Sequence, residues 1–208
     1  MNTIERETVT DSVTLQLGHA VELLEGVATH ASTDKGLPVL NAVMVSAGEG
    51  KVKAKATDRY RLIEGTIEGE GQLSPSLVSL ADIKRIVTLL KGEGKRMDSL
   101  PVSLSRAGDM LTVSVRGNAV TVNLISGNFP PVDQYLAGDG EETALTRVAF
   151  NPALMADYSK IAGRGSKSAI GVRLVFKGDK KPIQVEFAAN LFRKVEYRAV
   201  IMPMYWKD

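Results

Sequence analysis

The 208-residue sequence contains no cysteine and only two histidines. Without cysteine there can be no disulfide, no thiolate nucleophile and no cysteine-based zinc site. On one helix His19 and His30 would lie about 16 Å apart, too far to share a metal. No hydrophobic run is long enough to span a bilayer, and the polar residues 1–11 do not resemble a signal peptide. We therefore expect a protein of a reducing compartment with no metal, cofactor or membrane partner.

The sequence also lacks a strong charge of either sign and any recognisable catalytic motif. Its 26 basic and 24 acidic residues leave a net charge of +2, so any contact with nucleic acid should be local and weak. There is no nucleophile elbow and no Walker A sequence. The glycine-rich segments 92–95 and 163–167 lack the spacing of phosphate loops and are typical of helix C-terminal caps. These absences argue against an enzyme, including a hydrolase or nuclease on another fold.

One pattern, a strand followed by a helix and three strands, is written three times along the chain. The copies span residues 12–67, 76–125 and 147–202. In several predicted strands apolar residues alternate with polar ones, as Val52, Ala54 and Ala56 do with lysines. This alternation gives a strand one buried and one solvated face, which is typical of antiparallel sheets. The sequence therefore predicts an α+β fold built from repeats.

The helices of the second and third copies carry clear local signals. Apolar residues spaced at i, i+3, i+4 and i+7 form a stripe on the second helix: Ile83, Ile86, Val87 and Leu90. In the third copy, a strand over 147–150 precedes Asn151, a predicted helix cap, and a helix over 152–162. The glycine-rich, acidic residues 137–146 predict a linker between the second and third copies.

Four short segments resemble motifs of the bacterial DNA polymerase III β sliding clamp family. They are 37–41 (LPVLN), 56–62 (ATDRYRL), 127–132 (GNFPPV) and 200–204 (VIMPM). The last three are similar to the family's "ATDGHRL", "GxFPDY" and "VxMPM" segments. Each segment alone is weak, but four in the family's order on a repeated unit form a specific signal. The resemblance covers nearly the whole chain after about Val13.

The resemblance implies the DNA clamp fold, with antiparallel sheets outside and helices lining a central hole. Two repeat units make one domain in that family. Residues 1–140 then correspond to a complete domain, similar to the family's middle domain, and residues 141–208 to half of a C-terminal domain. Because a family ring holds twelve units, three units per chain predict a homo-oligomeric ring of four chains.

The resemblance also implies a hydrophobic pocket that binds peptides of the polymerase and the clamp loader. Position by position, that pocket would use Leu40, Thr57, Arg59, Tyr60, Arg61, Leu62, Pro130, Tyr135, Val200, Met202, Pro203 and Met204. Methionine is adaptable and suits a site that serves several partners. Arg59 and Tyr60 stand where the family often has Gly-His, so the partner motif is expected to differ. The terminal segment 205–208, with the only tryptophan, adds a possible aromatic anchor.

Basic helix residues would contact duplex DNA without reading its sequence. These residues are Lys84, Arg85, Lys91, Lys95, Arg96, Lys160, Arg164 and Lys167. The first helix departs from this pattern, because Glu22 and Glu25 make it acidic. For any one of the basic residues taken alone, an ordinary solvated surface is the simpler interpretation.

The expected function is that of a DNA polymerase processivity factor that encircles duplex DNA, in the cytoplasm of a bacterial or phage-infected cell. Tethering would raise the effective concentration of the polymerase at the primer end. The alternative is a clamp-fold accessory or decoy protein that binds polymerase or clamp partners without encircling DNA. The short chain suggests a phage or another mobile element.

Overall fold

The computed structural model describes residues 11–94, 97–137, 141–142, 147–162, 171–178, 181–189 and 191–204. Within these residues five helices accompany eleven strands of one antiparallel sheet. The strands are β1 Ser12–Gln16, β2 Ala42–Gly48, β3 Lys51–Thr57, β4 Arg61–Glu68, β5 Glu70–Ser79, β6 Pro101–Ala107, β7 Met110–Val115, β8 Asn118–Asn123, β9 Val172–Val175, β10 Ile183–Phe187 and β11 Glu196–Ile201. The helices are α1 Leu17–Ala28, α2 Leu80–Gly92, α3 Asp133–Leu136, α4 Pro152–Ala156 and α5 Tyr158–Ala162. None of the described helices has the length and hydropathy needed to cross a bilayer.

The first two repeat units interlock through their strands. The first unit is β1-α1-β2-β3-β4 and the second is β5-α2-β6-β7-β8, in the order β8-β7-β6-β1-β5-β2-β3-β4 across the sheet. The first strand of each unit therefore pairs with the second strand of the other unit, β1 with β6 and β5 with β2. The fourth strands, β4 and β8, lie at the two outer sides of this pair.

Helix α2 forms where the sequence predicts it. The Ser79 hydroxyl accepts a hydrogen bond from the Asp82 backbone N–H at 3.0 Å, which caps the first turn. All four residues of the predicted apolar stripe are buried, and α2 packs beside α1 over the sheet. The repeated strand–helix–three-strand pattern and the α+β class are confirmed in these two units.

The third unit, α4-α5-β9-β10-β11, extends the sheet from β4. Strand β11 pairs antiparallel with β4, with Val200 opposite Leu62 and Arg198 opposite Glu64. Strands β10 and β9 follow, and side chains such as Tyr158 and Ile183 belong to the same hydrophobic core as the first two units. The third unit is thus continuous with the rest of the molecule in both sheet and core.

The structure corrects three predicted elements. Residues 147–150 form no strand. In each of the other two units the first strand pairs with a strand of its twin unit, and the third unit has no such twin in this chain. The helix predicted over 152–162 is divided at Asp157 into α4 and α5. Strand β5 begins at Glu70, earlier than the expected start at Ser76, and the short helix α3 was not predicted.

Candidate functional site

A tight turn over residues 57–62 presents two exposed side chains. The Asp58 carboxylate accepts hydrogen bonds from the backbone N–H groups of Tyr60 and Arg61, both at 3.0 Å, and the Thr57 hydroxyl donates to the Arg61 carbonyl at 2.7 Å. Arg59 takes a φ of 80°, a left-handed conformation that is uncommon for a non-glycine residue. Its guanidinium lies 5.9 Å from the centre of the Tyr60 ring. The turn is fixed from within and holds Tyr60 outward, 57% exposed.

Beside this turn lies a small apolar cluster that is separate from the main core, which we call the satellite cluster. It consists of Leu62 on β4, Val200 on β11, Val132 and Leu136, with Phe129 packed against it. Residues 129–136, which we call the α3 segment, therefore lie over the junction where the third unit joins β4. Lys55 holds this segment in place through an ion pair with Asp133.

The same Lys55 belongs to a buried charge network under the junction. Its ammonium lies 3.2 Å from the Glu64 carboxylate, which also accepts a hydrogen bond from Arg198 at 3.2 Å. Glu64 is buried, so two cations next to it compensate the charge that it brings into the sheet. The network ties β3, β4, β11 and the α3 segment together.

Residues 202–204 follow β11 and are bonded to the turn and to the segment before α4. The backbone N–H of Met202 donates to the Tyr60 carbonyl, and that of Met204 donates to the Ala149 carbonyl, each at 2.7 Å. Met202 and Pro203 are half-buried, whereas the side chain of Met204 is 53% exposed. Tyr60, Tyr135 and Met204 are the exposed hydrophobic side chains of the three segments at this junction.

The structure brings most of the predicted pocket residues to this junction, but several are buried within it. Leu62 and Val200 form the floor, and Pro130 is half-buried next to Phe129. Thr57 is buried under the turn. Leu40 is buried beside the loop after α1, where its carbonyl accepts a hydrogen bond from Ser32. Their role in binding a peptide stays a prediction, and residues 205–208 lie outside the described part of the chain.

Arg61 serves as a strut between the units. Its buried guanidinium donates to the Asp58 and Asp157 carboxylates at 2.9 and 2.7 Å and to the carbonyls of Leu154 and Thr29 at 3.1 and 2.8 Å. These partners come from the turn, from the α4–α5 region and from the end of α1. The guanidinium therefore fastens the third unit to the first.

The groups around Arg61 have shifted proton affinities. Burial, together with the nearby Arg61 charge, lowers the pKa of His30 to about 3. Its ring lies 5.0 Å from that of Tyr158, whose pKa is raised by burial. Burial also raises the pKa of Asp157, but hydrogen bonds from Lys160 and Arg61 outweigh it and leave that pKa below its ordinary value. The junction thus holds a neutral imidazole beside a compensated ion pair.

A cleft of about 680 Å³ lies on the helix side of the sheet, between α1, α2 and α5. Its lining includes three of the predicted DNA-contacting residues, Lys84, Lys91 and Lys160. Arg85 is exposed on α2 and pairs with Asp82 at 2.7 Å. The four remaining predicted residues, Lys95, Arg96, Arg164 and Lys167, lie outside the described residues. Within the described part of the chain, no group of three or more histidine or acidic side chains is placed to hold a metal.

The two acidic residues of α1 do not place uncompensated negative charge on that side. Glu22 is buried, and its carboxylate accepts a hydrogen bond from the Lys194 backbone N–H at 3.1 Å. Glu25 forms an ion pair with Lys91. Glu22 therefore has a structural role, and the charge of Glu25 is neutralised by Lys91.

Three residues of the satellite cluster were missed as individual site residues: Phe129, Val132 and Leu136. Of the three only Leu136 lies in a helix, α3, and the residues around the prolines at 130–131 form no helix or strand. No helical or strand period in the sequence therefore marks the three residues as one set.

The amino-acid sequence matches a family of DNA polymerase subunits. The sequence profile described as "DNA polymerase III beta subunit, central domain" matches residues 14–131. The beta sliding clamp of Micrococcus luteus is 26% identical over 153 residues, which cover 72% of this chain and 47% of that protein. The beta sliding clamp homolog GriR of Streptomyces muensis is 26% identical over 145 residues, covering 69% of this chain and 39% of its own length. The chain spans less than half the length of either relative.

Solved structures share the fold over nearly the whole chain. The DNA polymerase sliding clamp of Pseudomonas aeruginosa superposes with a TM-score of 0.74 at 15% identity, covering 99% of this chain and 69% of that one. The DNA polymerase III beta subunit of Thermotoga maritima gives the same score and identity, with 100% and 69% covered. At this identity the likeness establishes the clamp fold.

Proposed function

This protein belongs to the family of the DNA polymerase III beta subunit, and from that premise we propose that it is a sliding clamp that encircles duplex DNA and tethers a polymerase. Members of this family act as non-enzymatic processivity factors, so the chain is expected to work by topology and binding. Such a protein would act in the cytoplasm of a bacterial or phage-infected cell.

One observation carries the tethering part of the proposal. Leu62 of the turn and the α3 segment pack together in the satellite cluster, and residues 202–204 are bonded to the turn through Met202 and Tyr60. These segments carry an aliphatic cluster, two exposed tyrosines and an exposed methionine. A peptide of the polymerase or of the clamp loader, carrying adjacent hydrophobic side chains, would bury them there, since such anchors supply most of the affinity of small interfaces.

The helix side of the sheet would face the DNA. One cleft is lined by three lysines, Lys84, Lys91 and Lys160. The ion pair between Lys91 and Glu25 reduces the positive charge of this cleft. A few weak phosphate contacts would let the DNA slide, because the affinity for DNA grows with the number of phosphates neutralised. Retention on DNA would then come from the closed ring.

The ring would have to form from more than one chain, and we favour four. The three units of a chain make one and a half family domains, and twelve units would take four copies. Two strands, β8 and β9, end the sheet among the described residues, and each is an edge at which another chain can pair. The alternative function, a clamp-fold accessory or decoy protein that binds polymerase partners without encircling DNA, is favoured if these edges stay open in solution.

A threading experiment separates the two functions. The protein is incubated with linear duplex DNA, both ends are then blocked with streptavidin on terminal biotin, and the salt is raised to remove direct binders. A ring stays on the end-blocked DNA and leaves DNA with free ends. A protein that binds only by direct contact leaves both at the same salt concentration.

A further inference from the structure

Among the described residues, the third unit has an open side where the first two units are closed. In the complete pair, the second strand of each unit is buried: Val43 and Val45 of β2 are 0% and 1% exposed, and Val102 and Leu104 of β6 are 0% and 4% exposed. The second strand of the third unit is β9, which pairs with β10 on one side and ends the sheet on the other, among the described strands. The corresponding residues on β9, Val172 and Leu174, are only half-buried.

Burial falls off within this unit toward the β9 edge. Leu174 lies directly opposite Val185 of β10, which is 2% exposed. Val172 lies opposite Phe187, which is half-buried like Val172 itself. Further apolar side chains that pack against the core only in part belong to the same unit: Val148, Phe150, Leu154, Met155 and Phe176. The apolar side chains at the β9 edge of this unit are therefore only partly covered.

The segment that should supply a first strand pairs with no strand of the described part of the chain, although the Ala149 carbonyl accepts a hydrogen bond from the Met204 backbone N–H. In the first two units the first strand pairs with the second strand of the twin unit, as β1 does with β6 and β5 with β2. Residues 147–150 occupy this place in the third unit but form no strand. Both halves of the missing contact, the edge strand β9 and residues 147–150, are present in one chain.

We propose that β9 and residues 147–150 form an interface with a second copy of this chain, related to the first by a twofold axis. Residues 147–150 of each copy pair with β9 of the other, as the first strands do within the complete domain. The α4–α5 regions then lie side by side as α1 and α2 do, and the half-buried side chains cover one another. A self-complementary patch of this kind is the usual form of a twofold interface.

A second copy fits this surface better than an unrelated partner does. The edge offers hydrogen-bonding groups together with apolar side chains at every second residue, so the partner must present an extended strand with the same alternation. In the part of the chain that the structure describes, the template for such a contact is one repeat unit against another. Because the interface would complete a domain of the ring, this inference rests on the proposed function.

Crosslinking between single-cysteine variants tests the arrangement, and the natural chain has no cysteine to interfere. Arg147→Cys and Arg173→Cys proteins are mixed and treated with a short bis-maleimide; adjacent strands lie about 5 Å apart, well within its reach. We expect a mixed dimer from this pair. The matched control replaces Arg147→Cys with Arg85→Cys, an exposed arginine on α2, and should give little product. Equal crosslinking of both mixtures, or none with Arg147→Cys, would overturn the proposal.

The mass in solution supplies a second test. Leu174→Glu places a charge in the proposed interface and should halve the mass measured by light scattering at micromolar concentration. Leu89→Glu, at a half-buried position on α2, should leave the mass unchanged. Both tests are done without DNA. If β9 joins two copies but the protein leaves end-blocked DNA, the clamp function fails and the interface stands; if the protein is retained while Leu174→Glu keeps its mass, the interface fails.

Discussion

Replacing Arg61 with methionine should loosen the third unit from the first two. The guanidinium makes four hydrogen bonds, two of them to the carboxylates of Asp58 and Asp157. Methionine has a comparable volume and keeps the packing of the aliphatic stem, but it removes every donor. Two carboxylates and two carbonyl groups then each lose one hydrogen-bond partner in a region with little access to water, while Asp58 keeps its backbone donors and Asp157 keeps Lys160.

The size of the effect follows from burial. Breaking a buried ion pair by removing one partner costs about 3–5 kcal/mol, because the remaining charge is left uncompensated. Asp157 is 22% exposed and keeps its bond to Lys160, so the lower end of that range applies, ~3 kcal/mol. For a chain of this size that corresponds to a fall in melting temperature of about 6–12 °C. Arg61→Lys should recover little, since lysine cannot form the same fork of bonds.

Chemical denaturation followed by circular dichroism measures this change directly. The matched control is Arg85→Met, which removes an exposed arginine whose pair with Asp82 should contribute less than about 1 kcal/mol. If Arg61→Met costs no more than Arg85→Met, the account of Arg61 as a strut is wrong. If the third unit of Arg61→Met melts in a separate earlier transition, Arg61 is confirmed as one of the contacts that join this unit to the first.

Three further predictions follow from the site. Met202→Ala with Met204→Ala should abolish binding of a fluorescent polymerase peptide and leave the solution mass unchanged; retained binding would place the peptide elsewhere. Because the pKa of His30 falls from 6.5 to about 3 on folding, the unfolded chain binds the extra proton between those values, and stability should fall as the pH drops through that window by up to ~1.4 kcal/mol per pH unit. His30→Gln should flatten that slope in denaturation measured from pH 7 to pH 4, and an unchanged slope would contradict the assignment. Lys84→Ala and Lys160→Ala should each reduce the salt dependence of DNA binding by about one phosphate contact, and no change in slope would remove them from the DNA surface.

The parts of the fold that the sequence predicts are those that depend on local pattern. The apolar stripe of α2 was confirmed in full. The alternation in β3 was confirmed only from Lys51 to Ala54, because Lys55 is buried beside Glu64. The segment 147–150 has the same kind of pattern and was wrongly expected to be a strand. A strand also requires a partner, and whether the partner is in the chain is a property of the assembly.

The candidate site was likewise predicted from the sequence only in part. The resemblance at 56–62 put both Tyr60 and Arg61 in the predicted pocket, but it did not reveal that Arg61 points into the unit junction while Tyr60 points outward. The direction of the Arg61 side chain depends on the position of Asp157, which lies far along the chain. Glu22 was similarly expected to lie on the DNA side and is instead buried under Lys194. Tertiary partners decided each of these outcomes.

Retention on linear DNA with blocked ends tests the central claim most directly. The protein is threaded onto biotinylated duplex, streptavidin is added, and the amount bound is measured after a wash at high salt. The account predicts that protein remains on the blocked DNA and is lost once a restriction enzyme frees an end. Loss from blocked and free DNA at the same salt concentration would contradict encirclement and favour a clamp-fold protein that binds its partners without a ring.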